Sequence, residues 1–168
     1  MLIIKLIQLA PLLTSTAYLQ FAQDETFFFT LFLQPVHFAK SAGLLPSYLA
    51  HFSRPAIRII SVTLGIQLLA SLAAATGATT TTTAPPEGSF WYWAGFALTV
   101  AHFPFAPFAA PLLVAVAKMD KVEGTQRREE EVRDNVEGFL RVHVLRTWTV
   151  NLGAWLCFVV AVLKSMGS

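Results

Sequence analysis

The chain has 168 residues, of which 55% are hydrophobic and 13% are charged, and its net charge at pH 7 is +2. Soluble domains usually carry about a quarter charged residues, so this composition excludes an ordinary soluble protein and indicates a small membrane protein. The small net charge gives no support for binding to nucleic acid.

Residues that bind metals and cofactors are scarce. A single cysteine, Cys157, excludes an intramolecular disulfide and a thiolate metal cage. The four histidines lack short ligand spacing, so no metal site is predicted. The chain contains no glycine-rich phosphate loop and no dinucleotide motif, and no bound cofactor is expected.

Four apolar segments are each near or above the roughly 20 residues that a membrane-spanning helix needs. They cover residues 6–33, 56–75, 90–117 and 144–163. Lipid offers the backbone no hydrogen-bond partners, so each segment must be a helix. The sequence therefore predicts an all-α fold, a polytopic membrane four-helix bundle that forms one domain over residues 1–168.

The basic residues of the connections predict the orientation of the bundle. Residues 36–55 and 118–143 contain Lys and Arg, whereas the threonine-rich segment 76–89 contains neither. Because Lys and Arg mark cytoplasmic loops, the two basic loops are expected in the cytoplasm and the threonine-rich loop in the lumen. Both termini are then lumenal, and an endomembrane, the endoplasmic reticulum, is the expected location. Lys5 interrupts the apolar start of the chain and disfavours a cleaved signal peptide.

The first span contains the polar run Gln23, Asp24 and Glu25. A carboxylate inside lipid is costly unless it is paired, so these acids need a partner or a function. We favour one helix through this run over a break near Ala22, because a break would leave the following "TFFFTLFLQP" as a short apolar stretch. At about 100° per residue, Gln20, Gln23 and Asp24 share a face, which we predict to line a pocket.

The third span contains "HFPFAPFAAP", with His102, Pro104, Pro107 and Pro111. Prolines leave backbone carbonyls without partners, and membrane helices tolerate them when neighbouring groups satisfy those carbonyls. The pattern predicts a kinked helix that opens a cavity beside His102. A purely structural kink without any ligand is an equally good interpretation.

The fourth span begins with "FLRVHVLRTWTVN", which places His143, Thr147 and Asn151 four residues apart on one face. Arg146 falls on the same side, and its long side chain is expected to meet Asp24 or Glu25 of the first span. The alternative is structural, with Arg146 reaching the lipid headgroups and the other residues joining helices.

Four short motifs resemble the anthrone-oxygenase-like family of small four-helix membrane proteins from fungal polyketide pathways. They are "TLFLQPV", "YLAHFSRPAIRI", "HFPFAP" and "FLRVHVLRTW". His143 and Arg146 match the most recognisable positions of that family. The chain departs from it at Ala106, where the family has Thr, and at the "PLL" that starts at Pro111, where the family has Pro-Thr-Asn.

This resemblance implies oxidation of an anthrone-type phenolic polyketide to a quinone by molecular oxygen without a cofactor. His143 or Asp24 would remove a proton, and Arg146 would stabilise the resulting oxyanion. The partners expected are a lipophilic small-molecule substrate, molecular oxygen and membrane lipid. The residues expected to bind the substrate are Gln20, Gln23, His102, Thr147 and Asn151.

Two other functions fit the same residues. A membrane cyclase, isomerase or pericyclase would use the same acid and base groups without consuming oxygen. A scaffold or small-molecule carrier would need no catalytic residue and would tolerate His143→Ala and Asp24→Asn.

Overall fold

The structure, a computed structural model, describes residues 2–77, 87–121 and 126–166. Regular structure in these residues is entirely helical and contains no strand, which confirms the all-α prediction. The helices are α1 (Leu2–Phe32), α2 (Pro35–Thr76), α3 (Ser89–Val100), α4 (Ala106–Lys118), α5 (Gln126–Arg146) and α6 (Leu152–Met166). Most of the predicted threonine-rich loop, residues 78–86, lies outside the described residues.

Short irregular helices join some of these elements. A 3₁₀ turn, Phe103–Phe105, connects α3 to α4, and a second, Met119–Lys121, follows α4. A π-helical turn, Thr147–Asn151, connects α5 to α6. Four helical stretches are long and apolar enough to cross a membrane, and each overlaps one predicted span, although the first ends one residue before the predicted bound. They are Leu2–Phe32, Pro35–Thr76, Ser89–Lys118 and Arg128–Ser165.

Helix α1 runs without a break through the polar run at Gln23, as the sequence favoured. Its buried side chains recur at intervals of three, four and seven residues, which places them on one face of the helix. They are Pro11, Ser15, Tyr18, Ala22 and Phe29. Gln20 and Gln23, which were predicted to line a pocket, are exposed.

Helix α2 includes residues 36–55, which were predicted to be a connection between spans. Pro35 occupies the first turn, where a missing backbone N–H costs nothing. Phe38, Ala42, Leu45 and Leu49 then recur at helical spacing and are buried, which outweighs the interruption expected from internal prolines. At about 1.5 Å per residue, α2 is roughly 63 Å long, so part of it extends beyond the hydrocarbon core of about 30 Å.

The third span is interrupted where the prolines begin, as the sequence predicted. Helix α3 ends at Val100, and the backbone N–H of His102 donates to the carbonyl of Thr99. Proline lacks an N–H group, so Pro104 cannot donate a hydrogen bond to the preceding turn, whereas Pro107 lies in the first turn of α4, where that donor is not needed. The chain forms the 3₁₀ turn there before α4 starts.

The chain divides into two compact units. The first consists of the described residues within Met1–Gln20, Ile60–Phe103 and Thr147–Ser168. In this unit α3 packs on α6, and Tyr92 and Phe158 are fully buried at the centre. Gly95 of α3 lies directly against the Phe158 ring, which occupies the space that a Cβ atom at Gly95 would need.

The second unit consists of the described residues within Phe21–Ile59 and Pro104–Arg146. Helix α4 packs on α5 here, and the buried core combines aromatic and aliphatic side chains. The Phe29 and Phe139 rings meet edge to face at 5.3 Å between their centroids. Arg133 covers the Phe38 ring, with its guanidinium carbon 4.0 Å from the centroid.

Candidate functional site

In the second unit, His143 is held rigidly at the centre of a polar cluster. Its side chain is completely buried and its ring stacks on Phe139, with 5.1 Å between the centroids. Nε2 lies 2.9 Å from the backbone carbonyl oxygen of Ala22. Nδ1 lies 2.7 Å from a terminal nitrogen of the Arg146 guanidinium.

These two contacts determine the tautomer of the His143 ring. A carbonyl oxygen only accepts hydrogen bonds and a guanidinium only donates them. Nε2 must therefore carry the proton that is donated to Ala22, and Nδ1 must accept from Arg146. The lone pair of His143 is thus occupied by Arg146 and does not face a ligand.

Glu25 lies next to this pair. Its Oε2 atom is 3.7 Å from Nδ1 of His143, and its side chain is 16% exposed. The Arg146 guanidinium is close enough to act electrostatically on the Glu25 carboxylate. Arg146 itself is 8% exposed, and its Nε atom has no hydrogen-bond partner among the described residues. The cluster thus holds one carboxylate and one guanidinium in largely buried positions.

Glu25 lines a cavity of about 170 Å³ in this unit. Asp24 lines it as well, and the other walls are aromatic side chains. They are Phe21, Phe28, Phe29, Tyr48 and Phe52. A cavity of roughly 150 Å³ with apolar walls is large enough to hold a benzene molecule. This cavity, called the ring cavity below, therefore has room for one aromatic ring beside a carboxylate.

Phe28 also lines a second cavity of about 260 Å³ in this unit, which we call the outer cavity. Phe28 contributes to the walls of both. Lys40 and His37 lie at the outer cavity with Leu31 and Leu44. The Phe28 ring is braced by Phe32 and Tyr48, whose centroids are 4.4 Å and 5.2 Å away.

The first unit contains a different polar cluster. The Tyr18 hydroxyl lies 3.1 Å from Nε2 of His102, and Nδ1 of His102 lies 3.1 Å from Oδ1 of Asn151. Gln67 donates through Nε2 to the Thr99 hydroxyl at 2.7 Å. All five side chains are buried.

The residues predicted for one site are divided between the two units. His143, Arg146 and Asp24 belong to the second unit, and Asp24 is exposed at the ring cavity. His102 and Asn151 belong to the first unit, where they are hydrogen-bonded to each other. Thr147 lies in the π-helical turn and is buried, and its hydroxyl has no partner among the described residues.

Glu25 was predicted as a possible partner of Arg146 but not as a site residue. Glu25 lies three residues after Ala22 and four before Phe29, on the face of α1 that the structure buries. No clear signal in the sequence marks that face, because α1 also carries large apolar side chains on its exposed faces. Within the described part of the chain, no three His, Cys, Asp or Glu side chains form a group that could hold a metal ion.

The chain is similar over almost its full length to three fungal proteins. The probable epoxidase scpX of Mollisia scopiformis is 28% identical, and the alignment covers 98% of each chain. Epoxidase pydX of an Acremonium species is 26% identical over 97% of this chain and 96% of its own. Epoxidase gkaX of Penicillium citrinum is 25% identical with the same coverage. No protein-family model and no solved structure matches the chain.

Proposed function

We propose that this chain is a membrane oxygenase of fungal secondary metabolism that converts an electron-rich phenolic ring to an epoxide in the ring cavity. The observation that carries the proposal is the position of Glu25, whose carboxylate faces an aromatic-lined cavity and is backed by His143 and Arg146. The full-length similarity to proteins named epoxidases supports oxygen insertion as the reaction class.

The ring cavity favours a flat, poorly soluble substrate. Phe28, Phe29 and Phe52 offer faces and edges against which an aromatic ring gains packing energy. The volume of about 170 Å³ suits one ring, so the remainder of a larger substrate would extend past the cavity walls. A substrate dissolved in the lipid would reach such a cavity without crossing water.

Glu25 is the proposed general base. His143 donates through Nε2 and accepts through Nδ1, so its ring has no free lone pair for a substrate proton. Glu25 is the ionisable group of this cluster that borders the cavity. A carboxylate within hydrogen-bond reach of a phenolic hydroxyl removes its proton and leaves an electron-rich phenolate.

Arg146 is the proposed electrostatic support. The positive charge of its guanidinium offsets the negative charge on Glu25 and on the phenolate that replaces it. His143 is a positioning residue, because it orients Arg146 and does not itself line the ring cavity.

The proposed reaction balances with molecular oxygen and a hydroquinone-type ring. The phenolate donates electrons to oxygen and a carbon–oxygen bond forms. The oxygen–oxygen bond then breaks, and one oxygen atom bridges a carbon–carbon double bond as the epoxide. The other oxygen atom takes up the two phenolic protons and leaves as water. The ring is oxidised to a quinone, and it thereby supplies the electrons that reduce the second oxygen atom.

The resemblance to anthrone-oxygenase-like proteins supports the same opening step. An anthrone would lose a carbon-bound proton to the base and react with oxygen to give a quinone and water. The two reactions share the base, the anionic intermediate and the oxidant. The names of the three similar proteins favour epoxide formation over this outcome and over a cyclisation that consumes no oxygen.

The test uses microsomes that contain the full chain, with methylhydroquinone and anthrone as separate probes under isotopically labelled molecular oxygen. We expect epoxide formation above the spontaneous rate, with one labelled oxygen atom in the quinone epoxide and one in water. Glu25→Gln should lower the rate by about 100- to 10,000-fold, the range for loss of a general base. Label in anthraquinone alone would favour the anthrone reaction instead.

Glu137→Gln is the matched control. Glu137 is also a carboxylate of the second unit, but it is partly exposed and pairs with the exposed Arg141 at 3.7 Å. Equal loss of activity in both variants, or full activity of Glu25→Gln, would remove Glu25 from the proposed role. No oxygen consumption with either probe would argue against this oxygenase reaction.

A further inference from the structure

We infer that the first unit binds one water molecule between Oε1 of Gln67 and Nδ2 of Asn151. Gln67 is 3% exposed and Asn151 is 7% exposed. Neither atom has a hydrogen-bond partner among the described residues. Buried polar atoms are normally paired, so a ligand that both accepts and donates a hydrogen bond is required here. The inference does not depend on the proposed function.

The two atoms belong to residues that line a common cavity of about 10 Å³. One water needs roughly 10–15 Å³ of such space. All nine residues around the cavity are buried, including Ser15, Leu64 and Ala154. The space therefore suits a single water and is too small for any larger molecule.

Thr99 determines which atom of the Gln67 amide faces the cavity. Its hydroxyl donates its one proton to the carbonyl of Gly95 at 2.8 Å. It must therefore accept from the neighbouring Gln67 atom, which lies at 2.7 Å and is Nε2. The remaining Gln67 atom is Oε1, which is an acceptor.

The opposite side of the site supplies a donor. In a neutral His102 ring, the proton on Nδ1 is donated to Oδ1 of Asn151, and Nε2 accepts from the Tyr18 hydroxyl. Nδ2 of Asn151 is then the donor that has no partner within the described part of the chain. If the Asn151 amide were rotated by half a turn, Oδ1 instead of Nδ2 would face the cavity. A water would then donate a hydrogen bond to Oδ1.

One water completes a chain of hydrogen bonds that runs in a single direction. Each group donates to the next. The order is Tyr18, His102, Asn151, the water, Gln67, Thr99 and the carbonyl of Gly95. These hydrogen bonds connect α1 and α2 with α3, with the turn that follows α3, and with the π-helical turn. Hydrogen bonds between membrane helices stabilise the association of those helices, and aligned bonds polarise one another.

A crystal structure from a lipid mesophase, at a resolution that shows ordered water, tests the site directly. We expect one water within hydrogen-bond distance, about 2.6–3.2 Å, of both Gln67 and Asn151. A structure in which the two amides contact each other, or in which the cavity contains no density, would overturn the inference.

Thermal unfolding of the full chain in detergent provides the second test. Gln67→Met and Asn151→Leu should each lower the melting temperature by about 3–10 °C, because each leaves the water and its remaining partner unsatisfied. The double variant should lose less than the sum, since the water can then be absent altogether. Strictly additive losses would contradict a shared water. Gln20→Met is the control, because Gln20 belongs to the same unit but is exposed.

Discussion

Arg146 donates a hydrogen bond of 2.7 Å to Nδ1 of His143, three residues earlier on the same helix. The spacing of three residues places both side chains on one side of α5. The bond turns the histidine into a donor that is anchored on α1 through the carbonyl of Ala22. The guanidinium of Arg146 is thereby held beside Glu25 by contacts between two helices, α1 and α5.

Removal of the Arg146 charge should reduce both activity and stability. Arg146→Gln leaves the lone pair of His143 and the buried Glu25 carboxylate without their cation. We expect a loss of about 1.5–3 kcal/mol in the free energy of unfolding, the range for hydrogen bonds to charged groups. Turnover rates test the loss of activity, and thermal unfolding tests the loss of stability. Arg141→Gln is the control, because Arg141 lies on the same helix and is exposed. Similar losses in both variants would contradict the prediction.

His143→Ala should lower the turnover rate more than it changes substrate affinity. The His143 side chain is fully buried and borders Glu25 but not the ring cavity. Its loss would free Arg146 to rotate while the cavity walls stay in place. Steady-state kinetics measures the two effects separately, with His51→Ala as control because His51 is exposed and its ring lies 2.8 Å from the backbone carbonyl of Ser47 on its own helix. An increase in KM at constant kcat would instead indicate direct contact with the substrate.

Phe28→Ala should widen the range of substrates. Phe28 forms part of the wall of both the ring cavity and the outer cavity, so its removal joins two spaces of about 170 and 260 Å³. We expect faster turnover of two-ring phenols relative to one-ring phenols, measured by competition between the two in one reaction. Phe27→Ala is the matched control, since Phe27 is the neighbouring residue and is 68% exposed. An unchanged ratio would show that Phe28 does not limit substrate size.

Gly95→Ala should destabilise the first unit, whereas Gly65→Ala should not. A Cβ atom at Gly95 would overlap the fully buried ring of Phe158, and overpacking of this kind costs about 1–3 kcal/mol. A Cβ atom at Gly65 meets no atom of the described chain within 4 Å, so alanine there gains about 0.5–1 kcal/mol of helix propensity. Thermal unfolding of the two variants compares them. Equal melting temperatures would mean that α3 and α6 are less closely packed than described.

The helices of this protein were predictable because lipid leaves the backbone few alternatives. Apolar length alone located the four spans, and the requirement that "TFFFTLFLQP" be part of a helix predicted the continuity of α1. The same reasoning failed for residues 36–55, which lie outside the predicted apolar segments and contain basic residues, because the structure includes them in α2 through Pro46. Tertiary burial of Leu45 and Leu49 on either side of that proline supports the helix there, and a sequence does not show which neighbour provides it.

The candidate site was predictable only in part. The pairing of His143 with Arg146 follows from local spacing on one helix and was anticipated as a shared polar face. The inward direction of the Glu25 side chain was not predictable. Large apolar side chains such as Leu13 and Phe27 are exposed on other faces of α1. When the environment of a helix is apolar as well, hydrophobic periodicity no longer distinguishes its inner face from its outer face.

The position of Phe28 between two cavities has a consequence for inhibitor design. A molecule with two ring-sized groups, joined by a link slender enough to pass Phe28, would place one group in each cavity. Its second group would bind at a high effective concentration once the first had bound, so the affinity would exceed that of either group alone. A basic residue, Lys40, lies at the outer cavity, which favours an acidic substituent on the second ring.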